Sequence, residues 1–211
     1  MDLNPKISNS IQKMGGVIPS FNITPIKSCP QRTLACVIYC YALLGRFRFP
    51  SAMERLWINY KATKRASFVE IISNQISLAV TYFRIHSAGD FYSQKYFDKW
   101  CEIARLNPRT QFLAYTRNYT LKTKRKPTNL KLYYTVDNTT TGFPTDDYLM
   151  AKVIYESIDE HEHLEPYNDG LVCNSKNCAT CLQCWDNEVN IYFPQKYGGK
   201  NKKLIQLTVP L

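Results

Sequence analysis

Apolar residues recur at helical spacing in three stretches of the chain and run together as short strand-like blocks in several others. Ser51-Ala-Met-Glu54, just after Pro50, reads as a capping box, and Met53, Leu56, Trp57 and Tyr60 follow on one helical face. Ser67-Phe-Val-Glu70 repeats the signal, with Phe68, Ile71, Ile72, Ile76 and Ala79 as the apolar stripe. Val80–Ile85 then reads as an aromatic and β-branched strand ended by the turn Ser87-Ala-Gly-Asp90. Ser93 can cap a third helix carrying Phe97, Trp100, Cys101 and Ala104, which Asn107-Pro108 stops before the strand Gln111–Thr116. A strand at Lys131–Val136, a helix near residues 146–157 and short strands at Val189–Phe193 and Lys203–Val209 complete the expectation. Residues before 29 are polar and Pro/Gly-punctuated around Gly16–Phe21, which suits a lead-in with one edge strand. Alternating strands and helices imply an α/β fold with a mainly parallel sheet. The expected division is a lead-in at 1–28, an α/β core at 29–160, and a cysteine-rich knuckle with C-terminal strands at 161–211.

A chain of 211 residues suits one domain with at most a small appendage. Lys and Arg number 27 against 17 Asp and Glu, a net charge of +10 that favours an acidic partner such as nucleic acid or a nucleotide. No apolar run approaches the roughly 18 residues that span a bilayer, and the first ten residues lack the apolar core of a secretory signal. The expected setting is therefore the cytoplasm, without a membrane partner, where thiols stay reduced. That setting matters because the chain has eight cysteines, seven of them in two tight groups. Clustered thiols in a reducing compartment are better metal or iron–sulfur ligands than disulfides.

The first group is Cys29, Cys36 and Cys40, flanked by Tyr39 and Tyr41. A structural zinc site normally closes with four ligands, whereas three cysteines on a [4Fe–4S] cluster leave one iron open. The competing expectation is that Cys36 and Cys40, four apart, pack in a helix core. The second group is Cys173, Cys178, Cys181 and Cys184, whose Cys-x2-Cys-x2-Cys core is closer to ferredoxin spacing than to the two separated pairs of a zinc ribbon. Zinc remains the alternative, since four thiolates can close around one ion. Cys101, between Trp100 and Ala104, reads as a core residue.

Cys-x6-Cys-x3-Cys-Tyr-Ala, Arg84-Ile-His86-x2-Gly89-Asp90-Phe-Tyr-Ser93, Phe112-Leu-Ala-Tyr-Thr-Arg117 and the terminal Cys-x2-Cys-x2-Cys-Trp together resemble the gene 88 product family of phages and plasmids, over roughly residues 20 to 186. More distantly, the cysteines followed by Tyr-Ala, the strand ending in Gly-Asp and the strand ending in Thr-Arg are similar to radical S-adenosylmethionine proteins of phage type. That resemblance implies a partial TIM-barrel-like sheet with Cys29, Cys36 and Cys40 on a [4Fe–4S] cluster whose open iron chelates S-adenosylmethionine. It further implies Tyr39 or Tyr41 near the adenine, and Gly89 and Asp90 in place of the usual Gly-Gly-Glu. The usual cysteine spacing is Cys-x3-Cys-x2-Cys, so the loop here must run differently.

Arg117, Lys122, Lys124, Arg125, Lys126 and Lys131, with no acidic residue between, form a candidate nucleic-acid-binding stripe, or simply a solvated connection. His86 and Asp90 close a strand where α/β sheets gather catalytic groups, so both are catalytic candidates; the bland alternative is a packed histidine and a turn-capping aspartate. Asp137 is a further candidate at the same rim, and His161 and His163 lie in a charged stretch. The leading expectation is an iron–sulfur, radical S-adenosylmethionine-like protein of a phage or mobile element, in the host cytoplasm, acting on nucleic acid or a nucleotide. The alternatives are a non-catalytic nucleic-acid-binding protein stapled by zinc or a cluster, and a zinc-dependent base-modifying enzyme using Asp90.

Overall fold

The computed structural model describes residues 3–9, 12–76, 78–142, 148–155 and 169–195. In chain order these are strand β1 (Ser20–Phe21), helices α1 (Leu34–Ile38), α2 (Pro50–Ala62) and α3 (Phe68–Gln75), strand β2 (Tyr82–Ile85), helix α4 (Gln94–Leu106), then strands β3 (Gln111–Thr116), β4 (Leu130–Val136), β5 (Met150–Tyr155) and β6 (Gly170–Val172). Helices α5 (Cys178–Cys181) and α6 (Gln183–Asp186) and strand β7 (Asn190–Gln195) follow. The seven strands form one sheet in the order β1-β2-β3-β4-β5-β7-β6, and every neighbouring pair is parallel.

Register sorts the sheet into two faces, because successive side chains on a strand alternate sides. Phe83 pairs with Phe112 and Phe112 with Leu130, while Ile85 pairs with Ala114 and Ala114 with Leu132. All six are buried and pack in one core with Phe68 and Ile72 of α3 and Phe97 and Trp100 of α4. Trp100 is the hub, its ring 5.5 Å from Phe21, 5.9 Å from Phe68 and 5.8 Å from Phe83. Each such side chain stabilises the fold by about 1.5–3 kcal/mol through burial. The opposite face carries Arg84, Leu113, Tyr115, Tyr133, Ala151 and Ile191, and is covered in part by Met14, Ile18 and Trp185.

Several local expectations change. The helix near 146–157 is instead strand β5, with Ala151 in register between Thr135 of β4 and Ile191 of β7. Val153, Ile154 and Tyr155 favour a strand, and pairing on both sides overrides a weak helical period. Neither predicted capping box forms. Proline itself, at the first position of α2, presets the helical turn after Phe49, and Ser67 has helical backbone angles and makes no side-chain cap. Ser93 does cap α4, its hydroxyl accepting from Tyr96 N. Leu56 and Tyr60 of α2 are buried, but Met53 and Trp57 face outward. The strand Lys203–Val209, His161 and His163 lie outside the described residues.

Candidate functional site

Three strand ends carry charge. Asp90 lies in the turn after β2, Arg117 directly follows β3 and Asp137 directly follows β4, and all three are buried. Arg117 pairs with Asp137 at 2.8 Å. Asp90 accepts from Phe91 N at 2.6 Å, Thr116 Oγ1 at 2.6 Å and Arg117 N at 2.8 Å, so its carboxylate laces the end of β2 to the end of β3. Burial pushes this carboxyl up to about 6, against the pull of those hydrogen bonds and of Arg117. At Asp137 burial acts upward too, yet Arg117, Thr33 and Thr139 outweigh it and hold the carboxyl below its usual range.

The loop after β1 brings the first cysteines over these strand ends. Asn22 accepts from Ser87 N and Ala88 N, Ser28 Oγ accepts from Asp90 N, and Gln31 accepts from Tyr119 N. Thr33 caps α1 by accepting from Cys36 N and donates to Asp137 at 2.7 Å. Close approach here requires glycine: Gly89 has φ +89, and a Cβ on it would run into Ile23 and come within 2.7 Å of Ser28 Oγ. Cys29, Cys36 and Cys40 are half-buried and electrostatically coupled, Cys36 acting on both of the others. Burial pushes all three thiols up, Cys40 to about 11, while the Arg117 guanidinium beside Cys36 pulls that one back. Cys36 lies within five-residue α1 and Cys40 beyond its end, so the pair does not form one stripe of a longer helix.

The second group packs on the other face of the sheet. Leu182, with φ +51, turns α5 into α6, so that Cys178, Cys181 and Cys184 fall on two successive short turns. Cys173 accepts from Lys13 Nζ at 3.6 Å. Burial raises the Cys178 and Cys184 thiols, while Lys13 and then Arg84 pull Cys178 back, and the Tyr115 hydroxyl and then Arg84 pull Cys184 back. Among the described residues, no group of three or more His, Cys, Asp or Glu side chains is drawn together closely enough to hold a metal ion.

The remaining candidates separate. His86 lies in the aromatic core, Nε2 paired with Tyr96 at 2.8 Å and its ring against Phe91, and burial drives it down to about 3, so it is neutral. Tyr41 donates to Ser87 O, whereas Tyr39 ends α1. Lys122, Lys124 and Arg125 are exposed on the β3–β4 connection. Lys126 folds back to Leu130 O, and Lys131 donates to Trp185 O and Asn187 O, tying down the second cysteine segment. Arg117 is committed to the Asp137 pair. The residue not foreseen as a site group is Arg84, half-buried on the sheet face with its guanidinium stacked 3.9 Å over Tyr115. Its sequence signal is a charge at an inward position of the apolar strand Tyr-Phe-Arg-Ile.

The model of the family described as gene product 88 matches residues 3–202. The chain belongs to the gene product 88 family. It is 32% identical over 125 residues to the gene 88 protein of Mycobacterium phage L5, covering 52% of each chain. The gene 88 protein of Mycobacterium phage D29 is 31% identical over 125 residues with the same coverage. The chain thus spans about half the length of these curated family relatives. No solved structure matches the chain, and no helix among its described residues is long and apolar enough to cross a membrane.

Proposed function

We propose that this chain is an iron–sulfur protein of the radical S-adenosylmethionine type that acts on a nucleotide or nucleic acid. The observation that carries the proposal is the placement of Cys29, Cys36 and Cys40 on the loop after β1, over the carboxyl ends of a parallel sheet, beside the turn Gly89-Asp90 after β2. Carboxyl ends are where such sheets bind ligands. Strands β1 to β5 follow chain order, with α3 and α4 in the same core, the winding expected of a partial barrel.

Three cysteines are one thiolate short of a closed zinc site and match a cluster that keeps one iron open. Burial keeps the thiols protonated, and coordination supplies the positive charge that removes those protons. When bound, a [4Fe–4S] cluster with an open iron supplies the electron that splits S-adenosylmethionine reductively. The chain's own part is positional. Asp90 and the Arg117–Asp137 pair fix the strand ends, Thr33 and Gln31 fix the cysteine loop, and Tyr41, held at Ser87, would flank the adenine. His86, neutral and packed, shapes the turn before Asp90.

Purification without oxygen, with iron, acid-labile sulfide and a visible spectrum, is the first test. Iron with sulfide, followed by release of 5′-deoxyadenosine on reduction with S-adenosylmethionine, is expected. Zinc as the sole metal, or an intact cluster that never cleaves the cofactor, defeats the proposal. The exposed cations Lys122, Lys124 and Arg125 favour a second reading, a stapled nucleic-acid-binding protein. Its sign is strongly salt-dependent binding without cofactor turnover.

A further inference from the structure

A cavity of about 1050 Å³ opens on the sheet face that α3 and α4 leave bare. Arg84, Leu113, Tyr115, Thr135, Ala151 and Val153 form its floor, and Cys173, Cys178 and Cys184 stand on one wall. Among the described residues that line it, six are cations, Lys6, Lys13, Arg46, Arg55, Arg84 and Lys176, and none is a carboxylate. Exposed lysines alone say little, because solvent and salt screen them. Arg84 is different: it is half-buried, anchored by Nε to His86 O at 3.0 Å and by its stack on Tyr115, so its charge is held on the floor.

Tyr41, Phe47, Tyr115, Trp185 and Phe193 add apolar ring surface to the same walls.

We infer that this cavity binds a nucleoside phosphate, with Arg84 as the phosphate anchor and the ring-lined walls holding the base. Six cations among the described lining residues, one of them held on the floor, favour an anion. The volume exceeds what inorganic phosphate fills and is of the size that encloses whole ligands. Aromatic walls suit a base, whose π-face stacks on such rings. Arg rather than Lys on the floor suits the fork geometry of a phosphate. This names the substrate class for the reaction proposed above, but it stands on the cavity's charge and not on a cluster.

The test is equilibrium binding to the full chain at low and physiological salt, without reductant or S-adenosylmethionine. Its probes are the common nucleoside monophosphates, their parent nucleosides, inorganic phosphate and a short 5′-phosphorylated single strand. At least one monophosphate is expected to bind saturably, its nucleoside at least about ten-fold more weakly, and Arg84→Gln to cost about ten-fold or more. Lys176→Ala, at an exposed position that leaves the fold alone, is expected to cost about two- to five-fold, and Lys95→Ala, exposed on α4 across the sheet from the cavity, nothing. Binding confined to the strand's 5′ end, with the same Arg84 dependence, supports the site and makes its ligand a strand terminus. No saturable binding of any phosphate-bearing probe, binding indifferent to both Arg84→Gln and Lys176→Ala, or an equal loss in Lys95→Ala overturns the inference. A negative result here leaves cofactor cleavage free to succeed, and the reverse also holds.

Discussion

The two cysteine groups occupy opposite kinds of ground. Cys29, Cys36 and Cys40 ride a loop laced to strand ends by Asn22, Ser28, Gln31 and Thr33, above Asp90 and the Arg117–Asp137 pair. Cys173, Cys178 and Cys184 instead face the cavity on the sheet's flank, close to Lys13, Arg84 and the Tyr115 hydroxyl. One setting is built from long-range hydrogen bonds around carboxylates, the other from apolar packing and cations. Under the function proposed above, an open coordination position belongs to the first group, while the second walls the cavity.

The sharpest way to break this contrast is to remove one thiol from each group. Cys36→Ser should abolish cofactor cleavage, by about 100-fold or more, while Cys181→Ser keeps most of it. Equal loss in both, with iron per chain falling alike, would mean a single shared centre. Next comes the ion pair. Arg117→Met leaves Asp137 buried without its partner and should cost about 3–5 kcal/mol in chemical denaturation, whereas Lys131→Met, which loses only contacts to carbonyls on the second segment, should cost about 1.5–3 kcal/mol. Gly89→Ala adds a clash to a left-handed backbone and should cost about 1–3 kcal/mol, against about 1 kcal/mol for Gly142→Ala, where φ is +66 and nothing stands within 4 Å of the added carbon.

The smallest effect is a pH dependence at the far edge of the sheet. Tyr192 and Asn190 donate to Asp169 and hold its carboxyl below the usual range. A depressed carboxyl stabilises the fold above its unfolded value of about 3.9, and that stability goes as pH falls through the folded value. Asp169→Asn should lower stability slightly at neutral pH, leave it unchanged at the acid end and so flatten the acid limb of a melting curve, the whole effect being small because the group is exposed.

Much of this was readable from residue order. The strands before and after α4, the Ser93 cap and the Asn107 stop follow from local chemistry, and the cysteine spacing marked both groups. What residue order hid was set by pairing at a distance. Met150–Tyr155 became a strand because β4 and β7 flank it, and Ser51 and Ser67 lost their caps to the geometry of Pro50 and a helical Ser67 backbone. The basic run from Arg117 to Lys131 looked like one stripe, but burial drew its two ends into an ion pair and a tether. Arg84 was visible only as a charge out of place, and the face it occupies emerged from register with Leu113.

The two-residue strand β1 has a bearing on solubility. Its inner side pairs with β2, while Ser20 exchanges both remaining backbone groups with Ser8, at 2.7 and 2.8 Å, in an antiparallel bridge. An open strand at the end of a parallel sheet is a template on which another chain can add and start a fibril. Here a single serine from the lead-in occupies that template, so one border of the sheet is sealed from within the molecule against self-assembly.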